Sequence, residues 1–363
     1  MKKLYYIVIL LLFFGCTNEN NDFYSHFIQE DSCELKYDIL KDVSYHLYHY
    51  EADSILSFHK DHKLIAMDLK TGKVVFNLRL PEQKGFTYRD HLYHNQDSIF
   101  VCSIINDNMY ILLMDQKGEV YNKWNLSSQA QIITDGYFFI DARYSHPMVL
   151  IKDKLYVLGS YHLKKGNPIS QQVPIEIALD LQNGTVKQIG DIPIEYKKGE
   201  FFGNHQNEYS RIINEKSEMV FSFPSCHNLF VYDTNGFSLK TINCQSQYIE
   251  RFEPINTDLS AIIDAYTYNA QYSDLVYDKY HKLYYRVVLH KLNKYDKNNN
   301  KNDFNKRNWS IIVLDEDFNI TTELMMPIGQ FWKRLFFTKQ GLILKSIENN
   351  HANKFKIYKP CID

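Results

Sequence analysis

A short strand opener recurs six times along the chain: Asp53-Ser54-Ile55-Leu56, Asp97-Ser98-Ile99-Phe100, Asp153-Lys154-Leu155-Tyr156, Ser217-Glu218-Met219-Val220, His281-Lys282-Leu283-Tyr284 and Gln340-Gly341-Leu342-Ile343. Successive copies lie about 44, 56, 64, 64 and 59 residues apart, the spacing of propeller blades with long loops. A second marker follows the first in five units: an apolar strand ending in Asp, a turn, then Gly or Asn. Its copies run from Asp68 to Gly72, Asp115 to Gly118, Asp180 to Gly184, Asp233 to Gly236 and Asp315 to Asn319.

This marker is turn chemistry. Asp accepts hydrogen bonds from the backbone just beyond it, while Gly or Asn tolerates positive φ, so the pair closes a tight hairpin and the aspartates are structural. The richness in aromatic residues, 28 Tyr and 23 Phe, also favours strands. In the sixth unit the chain stops at Asp363 before a hairpin return, leaving one strand missing. The alternating segment from Cys33 to Tyr50, ahead of the first opener, is expected to fill that place and remove the free sheet edge. The predicted fold is all-β, a six-bladed β-propeller closed by an N-terminal strand. A seven-bladed ring and two stacked sandwiches are the competing architectures.

Ahead of the repeats, Lys2 and Lys3 precede an apolar run from Leu4 to Phe14, then Gly15 and Cys16. The run is too short to span hydrocarbon and has the layout of a cleaved leader. It resembles the lipobox of bacterial lipoproteins, with Phe13 where that motif prefers Leu. The resemblance implies that Cys16 becomes the lipidated first residue, anchored by acyl chains. The expected organisation is a signal peptide over 1–15, a lipidated tether over 16–32 and the propeller over 33–363. Loss of the two lysines leaves 39 basic against 43 acidic residues, which gives no argument for nucleic acid. Cys33, Cys102, Cys226, Cys244 and Cys361 lack zinc or redox spacing. Cys226 and Cys244 are the nearest pair, either bridged or two buried thiols.

The lipobox, the six units and the phrases Arg143-Tyr144-Ser145-His146-Pro147 and Tyr277-Asp278-Lys279-Tyr280-His281-Lys282-Leu283-Tyr284-Tyr285-Arg286 resemble an uncharacterised propeller-lipoprotein family of Bacteroidetes. That family carries a domain-of-unknown-function label. The resemblance implies the fold and an envelope location, at the outer membrane on its periplasmic side or surface. It transfers no catalytic residue.

In a four-stranded blade, the a–b and c–d turns lie at one end and the b–c and d–a connections at the other. The long segments 83–96, 127–148, 190–216, 245–273 and 327–339 are assigned between blades, and 164–172 and the Asn/Lys-rich 293–308 between strands b and c. All of them are therefore expected on one face, where binding residues concentrate. The 293–308 run reads as a solvated loop.

An arginine beside an aromatic residue recurs ahead of several openers: Tyr88 with Arg89, Arg143 with Tyr144, Tyr209 with Arg211, and Trp332 with Arg334. Either these guanidiniums converge on an anionic or polyhydroxyl ligand at the channel mouth, or each pairs with a local carboxylate such as Asp90, Asp141 or Glu208. His146 and His205 join them as candidate contacts. The pairs His46/His49, His59/His62 and His91/His94 have a spacing that faces opposite ways on a strand, so no metal site is expected. No nucleophile, phosphate-loop or zinc-protease motif occurs. The favoured reading is a non-catalytic envelope lipoprotein binding a glycan, peptide or protein partner, without a cofactor. The competing one is a carbohydrate-active or lactone-type enzyme using loop acids such as Asp141, Glu208, Glu253 and Asp264, or histidines.

Overall fold

Hydrogen bonding at the turns closes the outer hairpin of five blades. Asp115 Oδ1 accepts from the backbone of Lys117 and Glu119 at 2.8 and 3.0 Å, and Asp233 Oδ1 accepts from Asn235 and Phe237 at 2.9 and 2.8 Å. Asp68, Asp180 and Asp315 make corresponding bonds. The left-handed position behind each Asp is Gly72, Gly118, Gly184 or Gly236 in four blades. In the fifth it is Phe318, at φ 69°, rather than Asn319; burial of its ring, stacked on Tyr284 at 4.5 Å, offsets the backbone strain. Asn319 instead bonds Asp315 through both its backbone and its side chain.

The computed structural model describes residues 27–35, 45–50, 53–60, 62–68, 71–81, 84–127, 131–133, 136–141, 145–163, 172–203, 208–326, 335–339, 341–345 and 353–360. They form six antiparallel sheets in a closed ring, a six-bladed β-propeller. Blade 1 comprises Tyr45–Tyr50, Asp53–Lys60, Lys63–Asp68 and Val74–Arg79, and blade 2 Phe86–Asn95, Ser98–Ile105, Asn108–Met114 and Val120–Asn125. In blade 3, Gly136–Asp141 and Val149–Ile151 both pair with Lys154–Leu163, followed by Glu176–Asp180 and Val186–Ile189, and Gln131–Ile133 adds an extra strand. Blade 4 comprises Ser210–Ile213, Met219–Ser222, Asn228–Tyr232 and Ser238–Asn243. Blade 5 comprises Gln271–Asp278, Leu283–Leu289, Trp309–Leu314 and Ile320–Met325. Blade 6 takes Phe336–Thr338, Gly341–Lys345 and Asn353–Pro360 from the C-terminal end, and Phe27–Leu35 as its outer strand.

That last pairing corrects the expected closure. The closing strand is Phe27–Leu35, in register from Phe27 opposite Pro360 to Leu35 opposite Asn353, while Tyr45–Tyr50 starts blade 1. The propeller thus begins inside the segment read as tether. It follows that the six openers start the second strand of each blade, and that the arginine-aromatic pairs of blades 2 and 4 lie on or beside first strands. A bulge between Gln29 and Asp31 breaks the alternation of the closing strand. Outer strands also need little apolar character: Val120–Asn125 and Ser238–Asn243 are almost wholly exposed, whereas Met219–Ser222 and Trp309–Leu314 are buried throughout.

Middle strands are apolar on both faces because each blade packs between two others. The core is correspondingly a succession of layers between blades, such as Leu64 with Val101, Ile177 with Phe221, Val220 with Val288 and Val287 with Leu342. The seam between the last blade and the first is of the same kind, with Ile343 and Ile357 packed among Leu56, Phe58 and Met67. No helix among the described residues is long and apolar enough to cross a membrane.

Arg286 fixes the seam between blades 4 and 5. It is fully buried, and its guanidinium donates to Ser222 Oγ (2.9 Å) and to the carbonyls of Phe223, Cys226, His227 and Cys244 at 3.4, 2.7, 2.6 and 2.8 Å. Its cation lies over the Tyr272 ring, 3.4 Å from the centroid. Cys226 and Cys244 stand here as buried free thiols, and burial pushes Cys226 up to about 11. Replacing Arg286 by Ala is expected to cost about 3–5 kcal/mol in urea unfolding, since several buried carbonyls lose their donors. Lys, with one compact ammonium, should recover only part of this; a loss under about 1 kcal/mol for Ala would contradict the clamp.

Candidate functional site

The connections are unequal at the two ends of the ring. At the a–b and c–d end, tight turns such as Asn214 to Glu218 and Asp278 to Lys282 repeat the side-chain-to-backbone bonding of the Asp hairpins. The other end carries the segments between Ile189 and Ser210, Asn243 and Gln271, and Leu289 and Trp309, together with helices α1 (Ile194–Lys197) and α2 (Leu259–Tyr268). The expectation of one elaborated face holds for these connections. Segment 83–96 is mostly the first strand of blade 2 rather than a loop. The Asn/Lys-rich run is largely exposed and bonded within itself: Asp296 Oδ1 accepts from Asn298 and Asn300, and Tyr295 bridges to Lys301.

Between the connections flanking blade 4 lies an open groove of about 650 Å³, lined by Glu200, Phe201, Ile255, Ala261, Asp264 and Ala265 among others. Ile255 N donates to Phe201 O at 2.7 Å, tying its two walls together. Helix α2 forms one wall; its N-cap Asp258 accepts from Ala261 N at 2.9 Å, a bond that holds the Asp258 carboxyl below its ordinary value. Ala261, Asp264 and Ala265 share the groove-facing stripe of α2. Leu259 and Ile263, 71% and 51% exposed, lie one turn apart on the opposite stripe. Ile194, Tyr248 and Tyr295 add exposed apolar surface at this end.

The residues flagged from sequence separate into three groups. Cys16, Arg143, Tyr144, His205, Trp332 and Arg334 lie outside the described residues. Arg89 is exposed on blade 2, while Tyr88 is half-buried, stacked on His59 at 4.0 Å and bonded to His91 Nδ1; His91 Nε2 in turn meets Ser57 Oγ of blade 1. His146, Tyr209 and Arg211 are closed off from solvent.

These last three meet at the seam between blades 3 and 4. Arg211 holds Glu176 through Nε to Oε2 and Nη2 to Oε1, both 3.0 Å, and His146 Nε2 reaches Glu176 Oε2 at 2.6 Å. Ser145 O accepts from Arg211 N and Ser210 Oγ, and Tyr209 OH donates to the carbonyls of Gly159 and Ile175. The partner of Arg211 is therefore a strand carboxylate of the preceding blade, neither a mouth ligand nor the local acid Glu208. Glu176, flanked by Ile175 and Ile177, carried the available signal: a charge inside an apolar strand. Burial alone would raise its carboxyl, but Arg211 and His146 outweigh that and hold it below 4.5.

Of the loop acids, Asp264 is engaged by Lys294 at 2.6 Å and Lys301 at 3.9 Å, and Glu253 by Arg251 at 2.5 Å. Glu208 is exposed, and the Asp141 side chain is outside the description. Among the described residues no group of three or more His, Cys, Asp or Glu is placed to hold a metal ion.

Residues 50–324 match the profile of a family described as a domain of unknown function, DUF4221. A solved structure of a member of the DUF4221 family from Bacteroides vulgatus superposes with a TM-score of 0.70 at 17% identity, over 93% of this chain and 98% of that one. A protein of unknown function from Bacteroides caccae gives 0.41 at 11% identity, over 80% and 84%. The allergen Mala s 1 of Malassezia sympodialis gives 0.47 at 10% identity, over 92% and 97%. No curated protein matches by sequence.

The buried Glu176 pair has a defined pH signature. A carboxyl depressed by folding adds stability that is complete above its unfolded value of 4.5 and is lost as pH falls through its lower folded value. Glu176→Gln, which strands the Arg211 charge, should cost about 3–5 kcal/mol at pH 7 by denaturant unfolding. The difference from the parent should shrink below pH 4.5; a pH-independent difference would contradict the pairing.

Proposed function

The chain belongs to the DUF4221 family, and from that premise we propose that it is a non-catalytic binding lipoprotein of the bacterial envelope, anchored through Cys16. Its loop-rich end engages a glycan, peptide or protein partner. The observation that carries the reading is helix α2, raised on that end with a groove along one flank and an apolar stripe, Leu259 and Ile263, facing water on the other. An exposed apolar stripe on a surface helix inverts the usual pattern and suits an interaction surface.

Strand direction supports the same reading. The closing strand enters at Phe27, opposite Pro360, so it starts at the short-turn end of blade 6. A tether from Cys16 to Phe27 would attach at that end and leave the loop-rich face pointing away from the bilayer. Two of the candidate acids are already engaged, Asp264 by two lysines and Glu253 by Arg251, which argues against those two as a free acid pair.

Two measurements test the proposal together. Labelled palmitate should enter the parent in bacteria and fail to enter Cys16→Ser. In a thermal-shift panel of soluble glycans and peptides, compounds that stabilise the parent should lose their effect on a Leu259→Asp/Ile263→Asp double variant, whose own stability should move by no more than about 1 kcal/mol because both sites are exposed. Hits unchanged in the variant would remove α2 from the binding surface.

A further inference from the structure

Arg211, Arg286 and Arg307 are each at most 5% exposed, and they differ in how their charge is met. Arg286 spends its donors on four carbonyls and a hydroxyl. Arg211 is neutralised by Glu176, with only Nη1 left over. Arg307 has neither arrangement. Its Nη2 donates to the carbonyls of Thr267 and Asn269 at the end of α2, while Nε and Nη1 are buried with no partner. Among the described residues no carboxylate pairs with it. The Phe304 ring lies 5.4 Å from its cation. Burial draws the guanidinium down from 12.5 to about 10.

Its surroundings are polar and fixed. His290, whose backbone N–H bonds to Asn308 O next to Arg307, has Nε2 at 2.8 Å from Ser310 Oγ. Ser310 Oγ lies 2.6 Å from Glu323 Oε1, and Ser246 Oγ and Gln247 N donate to the same carboxylate. A carboxylate only accepts, so the Ser310 hydroxyl donates to Glu323 and accepts a hydrogen bond from Nε2–H of His290. Glu323 is thereby occupied with its own donors. Tyr248, 42% exposed, stacks on the His290 ring at 4.1 Å and covers it from the solvent side. Burial, then the Arg307 charge, push His290 down to about 4, so the ring is neutral at pH 7.

We propose that Arg307 anchors an oxyanion subsite beside the His290–Tyr248 stack, taking a carboxylate or phosphate group of a ligand bound at the loop-rich end. A trapped water would satisfy an N–H but leave a buried cation without a counter-charge; an oxyanion would do both at Nε or at Nη1, which lie on opposite edges of the guanidinium because the Nε fork is shared with Nη2. The inference rests on reading that end as a binding face, and it names the ligand chemistry.

The purified protein would be titrated with inorganic phosphate and with acetate, against chloride at matched ionic strength. At least one oxyanion should raise the melting temperature above the chloride control, and which one does so separates phosphate from carboxylate. Arg307→Gln, which keeps an amide donor for the α2 carbonyls, should weaken the response about ten- to a hundredfold; Lys240→Ala, removing an equal charge from the outer strand of blade 4, should not. If Arg307→Gln does not fold, the parent alone decides: an anion that cancels the Arg307 charge must move the His290 titration upward from about 4 in NMR spectra. No response beyond chloride, an unchanged response in Arg307→Gln, or a static His290 would overturn the subsite. Loss of glycan or peptide hits in the α2 double variant with the phosphate or acetate response intact would separate this result from the fate of the binding-face reading.

Discussion

Pairing between the two ends of the chain is the constraint from which the remaining geometry follows. Phe27–Leu35 lies against Asn353–Pro360, so blade 6 is built from both termini of the described chain. A ring joined in this way leaves no blade without a neighbour, where an open array would have a bare blade face at each end, and each blade keeps only its own short edges. It also fixes the phase of every blade. Once the N-terminal strand is an outer strand, the next connection must lead inward to blade 1, and all later connections between blades emerge at that same end. The asymmetry between a plain end and an elaborated one follows from the antiparallel blades, which gather the d–a and b–c connections at one end, and from the length of those connections.

Closure alone would leave blades free to shift along apolar layers. Three buried polar seams oppose this: Ser57 with His91 between blades 1 and 2, Glu176 with Arg211 and His146 between blades 3 and 4, and Arg286 with Ser222 and its carbonyls between blades 4 and 5. In each, a side chain from one blade finds directional partners in its neighbour. A misplaced blade would strand these groups in a low-dielectric interior, a penalty that apolar contacts do not impose. Arg307 departs from the pattern, since its partners come from a helix cap and leave much of the guanidinium unanswered.

Much of this was legible in the sequence because turn chemistry is local. The Asp hairpins and the openers marked all six units, and their spacing implied the ring. First strands are harder to read: Ser210–Ile213 and Phe336–Thr338 are too short to show a pattern, so the recurring openers mark second strands. The closing strand, FIQEDSCEL, hides its role behind acidic residues and a bulge. The site was less legible, since pairing between blades is non-local. Arg211 stands beside Tyr209 in sequence, yet its partner Glu176 lies 35 residues away on another blade. The phrases ending in Pro147 and Arg286 carry the family resemblance, and His146 and Arg286 within them belong to seams. A charged residue inside an apolar strand, as with Glu176 in PIEIAL or Arg286 in LYYRVVL, is the transferable signal. Arg307 follows an Asn/Lys-rich run that looks featureless, and only its burial sets it apart.

Native-state hydrogen exchange would test the closure most directly. If the ring is held by its ends, amides of Phe27–Leu35 that bond to Asn353–Pro360 should exchange in one cooperative unit with the strands of blades 1 and 6, at a free energy approaching that of global unfolding. Exchange of Phe27–Leu35 at rates typical of an unprotected chain, while Gly341–Lys345 and Lys63–Asp68 stay protected, would contradict it.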